Sequence, residues 1–245
     1  MKKSLFLLFL ISLTSPALLA QTPLMYEQEA LKRLSDKIYH SSVDSKTSDY
    51  PRDFKKNPLA FKDWYYGKIN FRDNTEMDSM RFNYDFNVNA IVVQFNLDIS
   101  AVSLKQDLVQ SFTLYDNVVE RKFIRKTKGD FKDIKYNMPF FEVLMGDDSK
   151  DTPTVLKQYQ KELFSAEGQV NYGGEVAEDQ YDFHAGYFIR TKGETSYRKF
   201  GLSKKKILGL FEKAKSKEVL AHVRSNNLKW SDEFEMIKVI RKYLQ

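Results

Sequence analysis

Across residues 64–125 apolar and polar side chains alternate, run after run, with turn residues between the runs. Met80, Phe82, Tyr84 and Phe86 fall on one side of the second run and Arg81, Asn83 and Asp85 on the other, the period of two that a half-buried strand requires. In the first run Trp64, Tyr66, Ile69 and Phe71 flank Gly67. The phase shifts over residues 87–90, where asparagines suit the left-handed conformation of a tight connection, and Ile91, Val93, Phe95, Leu97 and Ile99 form the next apolar file. Phe112 and Leu114 follow, then Asp116-Asn117, then Val119 and Phe123 interleaved with Arg121 and Arg125. The pattern predicts at least five antiparallel strands with one face buried.

Beyond this meander, residues 126–137 read as a charged loop, Phe140, Phe141, Val143 and Leu144 as a further strand, and GDDSKDTP at 146–153 as a polar turn. Residues 155–164 suit a helix through Leu156, Tyr159 and Leu163, but their place between two other strands favours a strand. Gly173-Gly174 marks a loop, and Tyr181, Phe183, Ala185, Tyr187 and Ile189 form an alternating strand joined through Lys192-Gly193 to residues 196–200. FIRKTKGD at 123–130 echoes FIRTKGE at 188–194, a similarity read as a common way for a strand to leave into a Lys-Gly turn rather than as duplication. From Ser203 the period becomes helical, with stripes at Ile207, Leu210 and Phe211, at Val219, Leu220 and Val223, and at Phe234, Ile237, Ile240 and Leu244. Ser203 and Ser231 stand where N-caps are expected, and Trp230 is placed to act as a staple.

The first twenty residues have the layout of a secretory signal peptide: Lys2-Lys3, an apolar run over 5–11, and Pro16 before Ala20, after which cleavage is expected. The run falls short of the ~20 residues that span a bilayer, and Gln21 in place of cysteine leaves no site for lipid attachment. The expectation is a soluble, exported chain, periplasmic or associated with the outer membrane, not lipid-anchored and with no transmembrane span. Removing twenty residues from 245 leaves 225, enough for a substantial core. With no cysteine, that core does without disulfides, thiol catalysis or cysteine metal sites. Discounting Lys2 and Lys3, 37 basic residues face 33 acidic ones. This excess, read as spread along the chain, suits weak attraction to anionic surfaces but does not make a nucleic-acid-binding protein.

The expected architecture is α+β: a mainly antiparallel β-meander, as an open sheet or partly closed barrel, followed by a small three-helix C-terminal segment. Its divisions are a signal peptide over 1–20, an N-terminal helix (Leu24, Leu31, Leu34 and Ile38) and exposed connector over 21–57, a β domain over 58–201 and the helical segment over 202–245. The strings WYYGKINF, NYDFNVNAIVV, LSKKKILGLF, VRSNNLKW and DEFEMIKVIRKYL resemble a set of signal-peptide-bearing, β-rich envelope proteins of Bacteroidota that carry no assigned activity. The resemblance covers most of the chain beyond residue 20, implies a β-rich body with a helical tail outside the cytoplasm, and carries over no catalytic residue. An Asp-Gly turn usual in that set would fall at Asp73-Asn74, where asparagine serves the turn equally well.

Few residues carry recognisable chemistry. His40, His184 and His222 form neither HxH nor HExxH, and no GxSxG occurs, so no metal, cofactor or catalytic residue is expected. The acids Glu175, Glu178, Asp179 and Asp182, and Asp147, Asp148 and Asp151, read as solvated turns. The candidate partner or ligand contacts are Trp64, Tyr65 and Tyr66, whose rings could stack on a sugar or peptide; His184, beside Asp182 on the polar file of its strand; and Lys204, Lys205 and Lys206, cations at a helix start that need an acidic neighbour or an anionic partner. The first functional reading is a non-enzymatic envelope protein that docks on another envelope protein or an anionic envelope surface. The second is a binder of a small apolar ligand or lipid in a barrel-like cavity, and the third a hydrolase using paired carboxylates.

Overall fold

The alternating runs become neighbouring strands of one antiparallel sheet. The computed structural model describes residues 32, 36, 37, 45, 46, 50, 52–94, 100–116, 119–132, 134, 138–164 and 179–244. Among them lie β1 (Ser45–Lys46), β2 (Tyr65–Phe71), β3 (Glu76–Asp85), β4 (Ala90–Gln94), β5 (Ser100–Ser103), β6 (Val109–Tyr115), β7 (Glu120–Arg125), β8 (Phe140–Met145), β9 (Thr154–Phe164), β10 (Gln180–Arg190) and β11 (Arg198–Phe200). Their order is β1-β5-β4-β3-β2-β6-β7-β8-β9-β10-β11, so the sheet stays open, ten of its strands being three residues or longer. It is two meanders set side by side: β2 pairs with β3 on one flank and with β6 on the other. Asn74 (φ 62°) turns β2 into β3, and Asn89 (φ 51°) turns β3 into β4, both in the left-handed region that asparagine tolerates.

The sheet curls hard. Tyr84 on β3 and Phe140 on β8 bring their ring centroids to 6.3 Å, although four strand spacings would part them by about 19 Å in a flat sheet. Phe112 on β6 lies between, 5.5 Å from Phe82 and 5.2 Å from Phe140. Gly67 makes the close approach possible, since a Cβ there would run into the Thr113 carbonyl and stand 2.8 Å from the Phe82 ring.

A strap over residues 53–61 spans the curl. Leu59 bridges to Asp85 and Ala60 N–H donates to the Tyr84 carbonyl (2.7 Å), while at the other end Tyr181 N–H donates to the Lys55 carbonyl (2.5 Å). Lys161 Nζ donates to the carbonyls of Phe54 and Leu59, each at 2.9 Å. Part of the stretch expected to be an exposed connector is therefore built into the body: Asn57 is buried, Phe54 packs on Phe183, and β1 pairs with β5. The strap also changes the polar file of β3. Asn83 and Asp85, expected to face water, are buried because Asn83 donates to the carbonyls of Phe61 and Asp63 and accepts from Phe61 N–H, while Asp85 accepts from Tyr50 OH. Val92 is sealed on the same side by Leu59, with Tyr50 and Trp64 packed against them.

β9 is a strand along its whole length, and its sequence was ambiguous because residues 154–161 are covered on both faces, Glu162, Leu163 and Phe164 alone being exposed. Val155 packs under the helices, and Leu156 packs with Phe141 and Phe188 on the opposite face. The FIR echo has a local cause. Thr127 N–H donates to Asp130 and Thr191 N–H to Glu194, each at 2.7 Å, so both strands leave through the same turn. Phe123 lies on the concave face and Phe188 on the other.

Three helices close the described chain: α1 (Lys204–Leu208), α2 (Lys213–Ser225) and α3 (Glu233–Leu244). Ile207, Val219, Val223, Met236, Ile237, Val239 and Ile240 bury against Met145, Val155, Ile189 and Phe200, with Trp230 packed at the margin. The third stripe is rotated from expectation, since Phe234 is 67 % exposed and Met236 and Val239 point inward. Its cap is Asp232 rather than Ser231, accepting from Glu235 N–H at 2.9 Å. Ser203 holds the N-cap position of α1 without a side-chain bond. Residues 38–245 form one compact unit, and among the described residues no helix is long and apolar enough to cross a membrane. The expected signal peptide, most of the N-terminal helix, residues 95–99 and Gly173-Gly174 lie outside the described residues.

Candidate functional site

The densest polar chemistry sits on the concave face. Register places Ile69, Phe112, Phe123, Glu142, Lys157, Tyr187 and Phe200 in one row across β2, β6, β7, β8, β9, β10 and β11. Glu142 and Lys157 are thus charges in the middle of an aromatic row. Glu142 is met by Arg121, whose Nε and Nη2 donate to its two oxygens at 2.8 and 3.1 Å, and by Tyr159 OH at 2.6 Å. Arg121 Nη2 also touches Tyr159 OH, and the guanidinium lies over the rings of Phe61, Phe123 and Tyr159. From α3, Glu233 accepts from Lys157 Nζ at 2.7 Å and from Tyr187 OH at 2.5 Å, tying helix to sheet.

The electrostatics make these groups fixed. Burial raises the Glu142 carboxyl, but the bidentate Arg121 bond outweighs it and holds the group below its ordinary value. Burial and the neighbouring Glu142 push the Tyr159 phenol up, and burial with Glu233 does the same to Tyr187. These directions keep Glu142 ionised and Tyr159 and Tyr187 protonated near neutrality, as suits a strut.

Two further polar clusters lie elsewhere in the body, the first of them leaving Arg190 Nε buried without an acceptor among the described residues. In the β8–β9 turn, Asp148 (φ 67°) accepts from Lys126 Nζ at 2.7 Å and Tyr197 OH at 2.5 Å, and Arg190 Nη2 donates to the carbonyls of Asp148 and Ser149. Asp147, bonded to Thr152 and Ser149, is held down to about 2. Lys161 is buried under the strap with its ammonium lowered to about 8 by desolvation, and it lies 3.5 Å from the Phe54 ring centroid.

The residues expected to make contacts are not brought together. Trp64 packs inward beside Leu59, Tyr65 sits edge-on to Phe61, and Tyr66 is 58 % exposed next to Arg81 and opposite Tyr115. His184 is exposed and its Nε2 meets Asp182 at 2.9 Å. Lys204, Lys205 and Lys206 are all exposed, and no ion pair is formed by them among the described residues. Among the described residues no three His, Asp or Glu side chains gather as a metal site would need.

The charge excess is not spread along the chain. Residues 201–245 hold eleven basic against five acidic residues, whereas residues 21–200 hold 26 against 28. All eleven of those basic side chains are exposed, and among the described residues none is in an ion pair. Residue-by-residue reading missed this, although the count was open to it, and it missed the strut, whose one signal is Glu142 standing inside FFEVLM. No protein-family model, curated protein or solved structure matches the chain.

Proposed function

We propose that this is an exported, non-enzymatic accessory protein of the cell envelope that works by docking on another envelope component. The observation that carries the reading is the division of charge: the interior ion pairs Arg121–Glu142 and Lys157–Glu233 are closed, whereas the eleven tail cations are exposed and without counter-ions among the described residues, only Arg241 reaching back to the sheet, at the Leu144 carbonyl. The leader-like residues 1–20 and the resemblance to envelope proteins support the location. On the concave face Phe61, Phe82, Phe112, Phe123 and Phe140 pack on one another, which favours docking over an apolar ligand held there. Among the described residues the carboxyls whose titration is displaced, Glu142, Asp147 and Glu194, are all shifted toward the anion, the reverse of a general acid.

Expression of the tagged full chain, followed by fractionation and terminal mass analysis, tests this. The expected result is a chain starting at Gln21 that is recovered with envelope material. A cytoplasmic chain retaining Met1 overturns it.

A further inference from the structure

Resting on that docking reading, the structure assigns the partner of the helical cap: we infer that α2, α3 and the turns beside them lie on an anionic phospholipid surface, with Phe234 entering the headgroup region.

Three features of the cap converge. The first is the outer stripe of α3, where Phe234, Lys238 and Lys242 follow one another at four-residue spacing on the side away from buried Ile237 and Ile240. Phe234 is 67 % exposed and Lys238 Nζ lies 3.9 Å from its ring centroid, so an apolar ring sits directly beneath a cation. A ring beneath an ammonium can enter the headgroup region while the cation stays at phosphate level.

The second is a further basic strip on α2, on the flank away from the His222 contact. Lys242 Nζ stands 3.5 Å from His222 Nδ1, and the His222 ring meets that of Tyr243 at 5.7 Å, which joins the two helices at their C-terminal ends. On α2, Lys213, Lys217 and Arg224 are exposed at spacings of four and seven, opposite buried Val219 and Val223.

The third is what the acids of the cap do. Glu233 turns inward to Lys157 and Tyr187, Glu235 accepts from Lys229 N–H at 2.6 Å, and Asp232 caps α3. Three of the five acids are thus committed to local structure, which leaves the outward field positive. The cations are spread along two helices rather than gathered around a cleft, so they suit many dispersed headgroup phosphates better than one compact anion.

The test is co-sedimentation of the protein, purified as the expressing cell processes it, with vesicles of phosphatidylcholine alone or mixed with phosphatidylglycerol. Binding is expected only to the mixed vesicles and should disappear at high salt. The triple change Lys213→Glu, Lys217→Glu, Arg224→Glu and the double change Lys238→Glu, Lys242→Glu should each weaken it roughly tenfold or more. Phe234→Ser should weaken it severalfold without altering charge, and circular dichroism should show all variants folded. The milder Lys→Gln versions of the charge changes keep the test sharp if a reversal disturbs folding. Equal binding to both vesicle types overturns the inference. Binding to soluble polyglutamate that matches binding to vesicles, with Phe234→Ser neutral in both, overturns it in favour of an acidic protein. Absence of vesicle binding while the chain still fractionates with the envelope overturns the lipid assignment and leaves the docking reading standing.

Discussion

On the concave face of the sheet Arg121 and Lys157 each meet a carboxylate within 3 Å, whereas on the helical cap eleven cations meet none among the described residues. The physics of the two regions differs accordingly. Inside, a charge stripped of water is tolerable only with a counter-charge and its hydrogen bonds in place, so Glu142 is held by three donors. Outside, water and salt screen each ammonium, so the fold does not depend on the pairing of those charges. The first region ties strands and helix together, and the second carries its charge at the surface.

The contrast is broken most directly at Glu142. Glu142→Ala leaves Arg121 and Tyr159 buried without their acceptor, and denaturant unfolding should show a loss of about 3–5 kcal/mol. A loss below about 1 kcal/mol would place the strut with ordinary surface pairs. The pH dependence sharpens the point. The folded carboxyl is held below its ordinary 4.5, so its contribution is complete above that pH and is lost as acid titrates it. Glu142→Gln should flatten that part of the acid unfolding profile.

The tightness of the curl is probed next. Gly67→Ala sets a methyl against the Thr113 carbonyl and the Phe82 ring and should cost about 1–3 kcal/mol or more by the same measurement. Lys161 should then contribute a slope rather than a loss. Its folded ammonium gives up its proton at about 8, below the ordinary 10.5, so between those values the unfolded chain binds more protons and stability rises with pH. Unfolding midpoints compared at about pH 8 and about pH 10 should show that rise in the wild type and not in Lys161→Met.

The smallest effect is expected on the cap. Changing Lys204, Lys205 and Lys206 together to glutamine should leave stability within about 1 kcal/mol and move it upward, because no ion pair is lost and the cations stand at a helix start. A clear loss of melting temperature would mean that the cap cations are structural after all.

Much of this architecture was legible before any coordinates. The alternation of Met80, Phe82 and Tyr84 identified β3, the asparagines at 74 and 89 occupy left-handed turn positions, and the change of period at Ser203 marked the helices. The strut was not legible, because its members come from β7, β8, β9 and α3, and only register and curl make them neighbours. The aromatic run 64–66 misled for a related reason. Three successive rings look like one surface, but the pleat and the entry of the strap send Trp64, Tyr65 and Tyr66 to different surroundings.

The sequence by itself determined most of the strands and the helical end, β1 and β9 excepted, since a period of two or of 3.6 is written into neighbouring residues and each face must find either water or a core. Only the tertiary structure decided that β3 and β9 are covered on both sides, that β2 rather than β5 neighbours β6, and that the interior charges close on one another while those of the cap do not. Those outcomes depend on contacts between residues far apart in the chain, such as Lys161 and Phe54, 107 positions apart, and chain-local spacing carries no record of them.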